Sequence, residues 1–372
     1  MTLKQHLDAV VERAIAERQI VGAALIVRQH GALLHEGAYG LLDREANRPM
    51  VMDAIFRLSS LTKPIVAATI LALKDQGLLR LTDPVTKFLP DFKPQLPDGT
   101  APVIPIEHLL THTSGLNTAP MGTAEELSAD VSPWSMGTEA IMARIAGRPL
   151  MFAPGTTFAY GPSVDVLGAI AGLLVGGRPE DAMRRYVLDP LGMVDTRFSV
   201  TDISRLATAY ADGPNGAERM GDVHTIPNPW NGFTTYDTQR IFDPEMFQSG
   251  GGGAAGTARD FMQLLEALRN GGGGILTPET VAASLGNRTP QLQQASGPGW
   301  QFSHFGAWLE DPALAAYPAA PGTNRWGGIY GHSWFFDPSI GLSVVSMTNT
   351  GLEGSDGPYR GDICRAVYAG LS

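Results

Sequence analysis

A single cysteine, Cys364, stands in a chain of 372 residues. That excludes an internal disulfide and any cysteine-rich metal cluster, so the fold must rest on its core. Basic residues are also in short supply, with 27 Lys and Arg against 37 Asp and Glu and a net charge of −10. An acidic surface repels phosphate backbones, which argues against nucleic acid as a partner. Long apolar runs are missing too. The longest, residues 166–177, falls short of the roughly 18–20 residues a membrane span needs, so no membrane association is expected. The first twenty residues carry charges throughout and read as an amphipathic helix rather than a secretory signal, which predicts a cytoplasmic protein.

What is present is a turn-rich globular composition, with 44 Gly, 27 Pro and 44% hydrophobic residues. Leu3, Leu7, Val10, Val11, Ala14 and Ile15 recur at helical spacing. Residues 23–29 and 33–39 flank His30-Gly31 as a β-hairpin. Residues 61–76 form a second helix, closed by Gly77. From about residue 79 to 242, proline-rich turns separate short helical patterns and strand-like runs are scarce. Thr257 then opens a helix reaching Asn270. Residues 329–337 and 342–349 form a second hairpin, and a last helix spans about 359–370. The pattern predicts an α/β (α+β) fold in which both termini contribute to one antiparallel sheet flanked by helices. Residues 1–78 and 245–372 would form this discontinuous sheet domain. Residues 79–244 would be an inserted, mainly helical domain, with the active site between the two.

The most informative stretch is Arg57-Leu58-Ser59-Ser60-Leu61-Thr62-Lys63-Pro64. Proline is tolerated in a helix only within the first turn, so Pro64 places the helix start near Ser59 or Ser60. Three residues make nearly one helical turn, so Ser60 and Lys63 share a face. An alcohol then lies beside an amine at a helix N-terminus whose free N–H groups can stabilise an oxyanion. A neutral Lys63 can take the Ser60 proton. Taken alone, S-x-x-K is frequent by chance, and an N-cap serine before a solvent-exposed lysine is the bland alternative. Three other segments add weight: Leu109-Leu110-Thr111-His112-Thr113-Ser114-Gly115-Leu116, then residues 154–168, with Tyr160-Gly161-Pro162 opening a helix, and then Asp189-Pro190-Leu191-Gly192-Met193.

Together, in this order and across nearly the whole chain, these motifs resemble the serine β-lactamase and penicillin-binding-protein superfamily, most of all the family VIII carboxylesterases. The resemblance implies a β-lactamase-like fold with Ser60 as acyl-accepting nucleophile, Lys63 as its activating partner and Tyr160 as proton shuttle. The third motif is expected on the first strand of the C-terminal hairpin, at Trp326-Gly327-Gly328, where the glycines would admit a substrate. Ile329 would add its N–H to that of Ser60 in the oxyanion hole. A rival alignment uses Gly331-His332-Ser333-Trp334, with His332 as the polar substrate-binding group.

Two departures bear on substrate. Pro162 stands where the superfamily has an asparagine, and Trp326 stands where it has a cation that grips a carboxylate. Both favour a neutral small-molecule ester over an anionic amide. The expected activity is hydrolysis of short-chain carboxylic esters through acyl-Ser60, with no cofactor. The alternatives are acyl transfer to an alcohol or amine, β-lactam or D-amino-acid peptide hydrolysis, and a non-catalytic ligand sensor of the same fold.

Three other signals carry less. Gly251–Gly256 fits G-x-G-x-x-G, but no apolar strand precedes it, so nucleotide binding is not expected. His108 and His112 stand four apart without a third ligand, and no metal is expected. The absence of G-x-S-x-G argues against an α/β-hydrolase nucleophile elbow. Cys364 reads as a packing residue, and Trp134, Trp230 and Trp308 as lining either a pocket or an interface.

Overall fold

A computed structural model of the chain describes residues 1–118, 133–200, 202–228, 232–292 and 295–371. Eight strands form one antiparallel sheet: β1 (Gly22–Gln29), β2 (Ala32–Asp43), β3 (Arg48–Pro49), β4 (Trp300–Phe302), β5 (Ala307–Leu309), β6 (Asn324–Gly328), β7 (His332–Asp337) and β8 (Leu342–Thr348). Their spatial order is β4-β5-β6-β7-β8-β1-β2-β3. The two ends of the chain meet where β1 pairs with β8, Ala23 opposite Thr348 and Gln29 opposite Leu342. The β1–β2 hairpin turns at His30 and Gly31, both at positive φ (50° and 83°), as tight hairpin turns require.

Alternation along β1 sends successive side chains to opposite faces, and both faces are covered. Leu25 and Val27 meet the terminal helices α1 (Leu3–Ala16) and, further along the chain, α5 (Pro358–Leu371), which bring Leu7, Val11, Ile363 and Val367. Cys364 is buried in that layer, where burial raises its thiol to about 11. Ala24 and Ile26 face the other way, toward α2 (Thr62–Asp75) and α4 (Ala258–Arg269). Helix α2 is apolar nearly all round, which suits a helix enclosed on every side. One flank meets the sheet layer and another meets α3 (Ser163–Val175).

Two expectations change. The Trp326-Gly327-Gly328 segment lies on β6, one strand before the C-terminal hairpin, with Trp326 opposite Trp334 of β7. Residues 329–331 are the turn between them rather than strand, because Gly331 at φ 110° reverses the chain. The 79–242 stretch also holds a hairpin, Val223–Asn228 with Gly232–Asp237, whose alternating Thr234, Thr235 and Tyr236 carry strand propensity that proline and asparagine neighbours obscure. No helix among the described residues is long and apolar enough to cross a membrane.

Candidate active site

A 3₁₀ turn, Ser59–Leu61, leads directly into α2, with Pro64 in the helix's first turn. The sequence placed the helix start here. Ser59 sits in the left-handed region at φ 50°, a strained conformation for a residue with a Cβ. The strain is held by neighbours: Leu58 N–H bonds Ala254 O at 2.9 Å, and Ala254 N–H returns to Thr62 Oγ1 at 3.1 Å. Ser60 is thereby presented at the head of α2.

Lys63 Nζ lies 3.2 Å from Ser60 Oγ and donates to Gly251 O at 2.5 Å. No carboxylate among the described residues pairs with Lys63. A neutral amine here keeps one N–H on Gly251 O and is free to turn its lone pair to the Ser60 hydroxyl. The Tyr160 ring lies on the other side, its centroid 4.5 Å from Nζ. Trp326 Nε1–H donates to Tyr160 Oη at 3.0 Å, with the rings 5.0 Å apart. The indole therefore touches the tyrosine, and since it fills one lone pair of Oη, the hydroxyl hydrogen must point elsewhere.

Two residues to which the sequence reading gave no role in the site hold these groups in place. Asp165, in the first turn of α3, accepts Ser249 Oγ at 2.5 Å and Gly251 N–H at 3.1 Å, fixing the loop whose carbonyl receives Lys63. The 250–253 glycines permit this approach, because a Cβ on Gly251 would stand 2.7 Å from Asp165 Oδ2. His112 brackets Tyr160: its carbonyl accepts Ala159 N–H at 2.9 Å and its Nδ1 accepts Gly161 N–H at 3.4 Å. Its ring packs 4.6 Å from the tyrosine ring. Burial, with the Lys63 charge adding to it, holds His112 well below the usual histidine range, so it is neutral. The set-aside glycine run and His112 thus both bear on the site, through packing that spacing alone does not reveal. No group of three metal-ligating side chains occurs among the described residues.

A cavity of about 350 Å³ opens beside Lys63 and Tyr160. Ile329 lines it, and no hydrogen bond among the described residues engages the Ile329 N–H. Gly327 and Gly328 do not line it. A Cβ on Gly328 would stand 2.5 Å from Leu58 O and 3.0 Å from Leu61 Cδ1, so this glycine lets β6 press against the nucleophile turn. His332 is likewise away from the cavity. It is buried, its Nε2 sits 2.8 Å from Arg57 O, and burial lowers it to about 4. Arg325 turns away as well, stacked on Trp300 and Tyr317. Besides Lys63, the basic side chains in the cavity wall are instead Arg57 and Arg240, with Trp134 beneath the latter. Trp308 lies on β5 outside the cavity, and Trp230 lies outside the described residues.

A serine and a lysine one helical turn apart, faced by a tyrosine, sit against an inner strand of an antiparallel sheet built from both termini, an arrangement that points to the serine hydrolases. The Beta-lactamase family model matches residues 7–367, and the chain belongs to that family. Its relatives include Esterase EstB of Burkholderia gladioli, 42% identical over 99% of this chain and 96% of that protein. Among solved structures, EstCE1, described as a hydrolase with promiscuous acyltransferase activity, superposes with a TM-score of 0.93 at 38% identity, covering 98% of both chains. Acyltransferase calJ of Penicillium decumbens is 32% identical over 68% of this chain and 60% of its own length.

Proposed function

We propose that this protein is a carboxylesterase that works through an acyl-Ser60 intermediate. The observation that carries the reading is the contact of Lys63 Nζ with Ser60 Oγ at 3.2 Å, with Tyr160 packed on the same amine. The similarity to Esterase EstB supports it. Lys63 takes the Ser60 proton as the oxygen attacks the ester carbonyl, and the oxyanion forms against the N–H groups of Ser60 and Ile329. Tyr160 hands a proton to the departing alkoxide. Water then attacks the acyl-enzyme with the same groups in reverse roles. The assembled trio argues against a sensor, which needs only a cavity. The two-part division into 1–78 with 245–372 and 79–244 fits this site, with Ser60 and Trp326 from one part and Tyr160 from the other.

Acyl transfer is the second reading, favoured by the acyltransferase activity described for EstCE1. An acceptor alcohol in the cavity would then outcompete water. A reducing, cytoplasmic setting fits the lone buried cysteine. The test is labelling with a fluorophosphonate and reading the intact mass. Wild type gains one adduct and hydrolyses p-nitrophenyl butyrate, whereas Ser60→Ala does neither. A Ser60→Ala variant with near wild-type turnover overturns the reading.

A further inference from the structure

The cavity wall holds an arginine whose N–H donors the protein itself leaves without hydrogen bonds. Arg240 Nη2 is buried against Gly253 without a hydrogen-bond partner, and its guanidinium carbon lies 4.6 Å from the Trp134 ring centroid. Its Nε and Nη1 make no hydrogen bond to protein either, yet they escape full burial, and the residue lines the cavity. Arg57, on the same wall, spends its three nitrogens on neutral acceptors: Nε and Nη2 on Thr238 O, Nη1 on Ala207 O. Two carboxylates also face the cavity. Asp165 is engaged by Ser249 and Gly251, and Asp237 Oδ1 accepts the backbone N–H groups of Gln239 and Arg240. Both carboxylates attract the Arg240 guanidinium through space, and Asp237 attracts that of Arg57, but no hydrogen bond joins either carboxylate to a guanidinium. A buried charge without hydrogen bonds is costly unless something completes it, and a guanidinium edge is shaped for a carboxylate.

We propose that Arg240 is an anion subsite of the substrate cavity, and that the preferred esters carry a carboxylate, as in half-esters of dicarboxylic acids. This rests on the esterase reading above and revises the expectation that the loss of the motif cation leaves carboxylates without a grip. The grip is moved to another wall, from β6 to the turn after the Gly232–Asp237 strand. The platform is Trp134, which holds the guanidinium plane while its edge stays open.

The experiment compares kcat/KM for the monoethyl esters of succinic, glutaric and adipic acid with neutral ethyl esters in which an isopropyl group replaces the carboxylate. Wild type favours at least one half-ester over its neutral analogue. Arg240→Gln cuts that ratio by about 10–100-fold, chiefly through KM, and Arg240→Lys recovers part of it, as expected for hydrogen bonds to a charged group. A ratio unmoved by Arg240→Gln, or a wild type that favours every neutral analogue, overturns the subsite while leaving the esterase reading intact. Hydrolysis of neither class overturns the esterase reading itself. Should the variants fold poorly, competitive inhibition of wild type decides: glutarate inhibiting where glutaramide does not supports the subsite, and equal inhibition sinks it.

Discussion

Trp326 shows how a residue changes meaning once its neighbours are known. Read along the chain, it stood in place of a substrate-binding cation. In the fold it donates its indole N–H to Tyr160 Oη at 3.0 Å and lies outside the main cavity. Trp326→Phe keeps an aromatic ring but removes the N–H donor together with the pyrrole half of the indole, so kcat should fall at least about tenfold, the scale of one hydrogen bond, with KM little changed. Tyr160→Phe should cost about 10²–10⁴-fold, the usual scale of general acid–base assistance, at an unaltered melting temperature. A Trp326→Phe variant that moved KM alone would return the tryptophan to the substrate. Ser60, Lys63 and Tyr160 were legible because their chemistry is written in residue type and local spacing. Arg240, Asp165 and His112 were not, because what marks them is a missing partner, a distant loop or a stacked ring.

Among the elements, the contact between β6 and the nucleophile turn is the most exacting. Strand β6 has no room for a side chain at Gly328, since Leu58 O and Leu61 lie against its backbone. The double glycine was visible in the sequence, but its reason was misread as access for substrate. A methyl group there must push the strand from the turn that carries Ser60. Gly328→Ala should therefore cost about 1–3 kcal/mol of stability, the scale of an overpacked core, and lower kcat as well. Urea unfolding alongside steady-state kinetics checks both, and a variant with full activity and stability would show that β6 can yield. Helix existence and the sheet's two-ended origin were readable from periodicity. The Val223–Asn228 hairpin was not, because short polar strands broken by proline lack a periodic signal.

The whole molecule should be sensitive to acid. Burial lowers His332 from 6.5 to about 4, and His112 is held low by burial and by Lys63. Both stay neutral in the fold yet gain protons when it opens. The unfolded chain thus binds more protons below pH 6.5, so stability is full above that value and is lost as pH falls toward 4. His332 alone accounts for about 3 kcal/mol across this window. Glu107 acts lower down: burial would raise its carboxyl, but His304 and Arg288 hold it at about 2, so its contribution is lost between about 4.5 and 2. Urea midpoints at pH 7.5, 5.5 and 4.5 should fall in that order, and His332→Gln should flatten the decline. A midpoint independent of pH would contradict the neutral, buried state of both histidines.

The pairing of β1 with β8 also sets a timetable for synthesis. β1 is emitted early, with its apolar Ala23-Ala24-Leu25-Ile26-Val27 run, and can zip with β2 at once. Its other edge belongs to residues 342–348, about 313–325 positions downstream. At about 5–20 residues per second, translation leaves that edge open for about 15–60 s. An unpaired apolar edge invites pairing with another chain, so the nascent protein is at its most vulnerable long before its nucleophile can be activated.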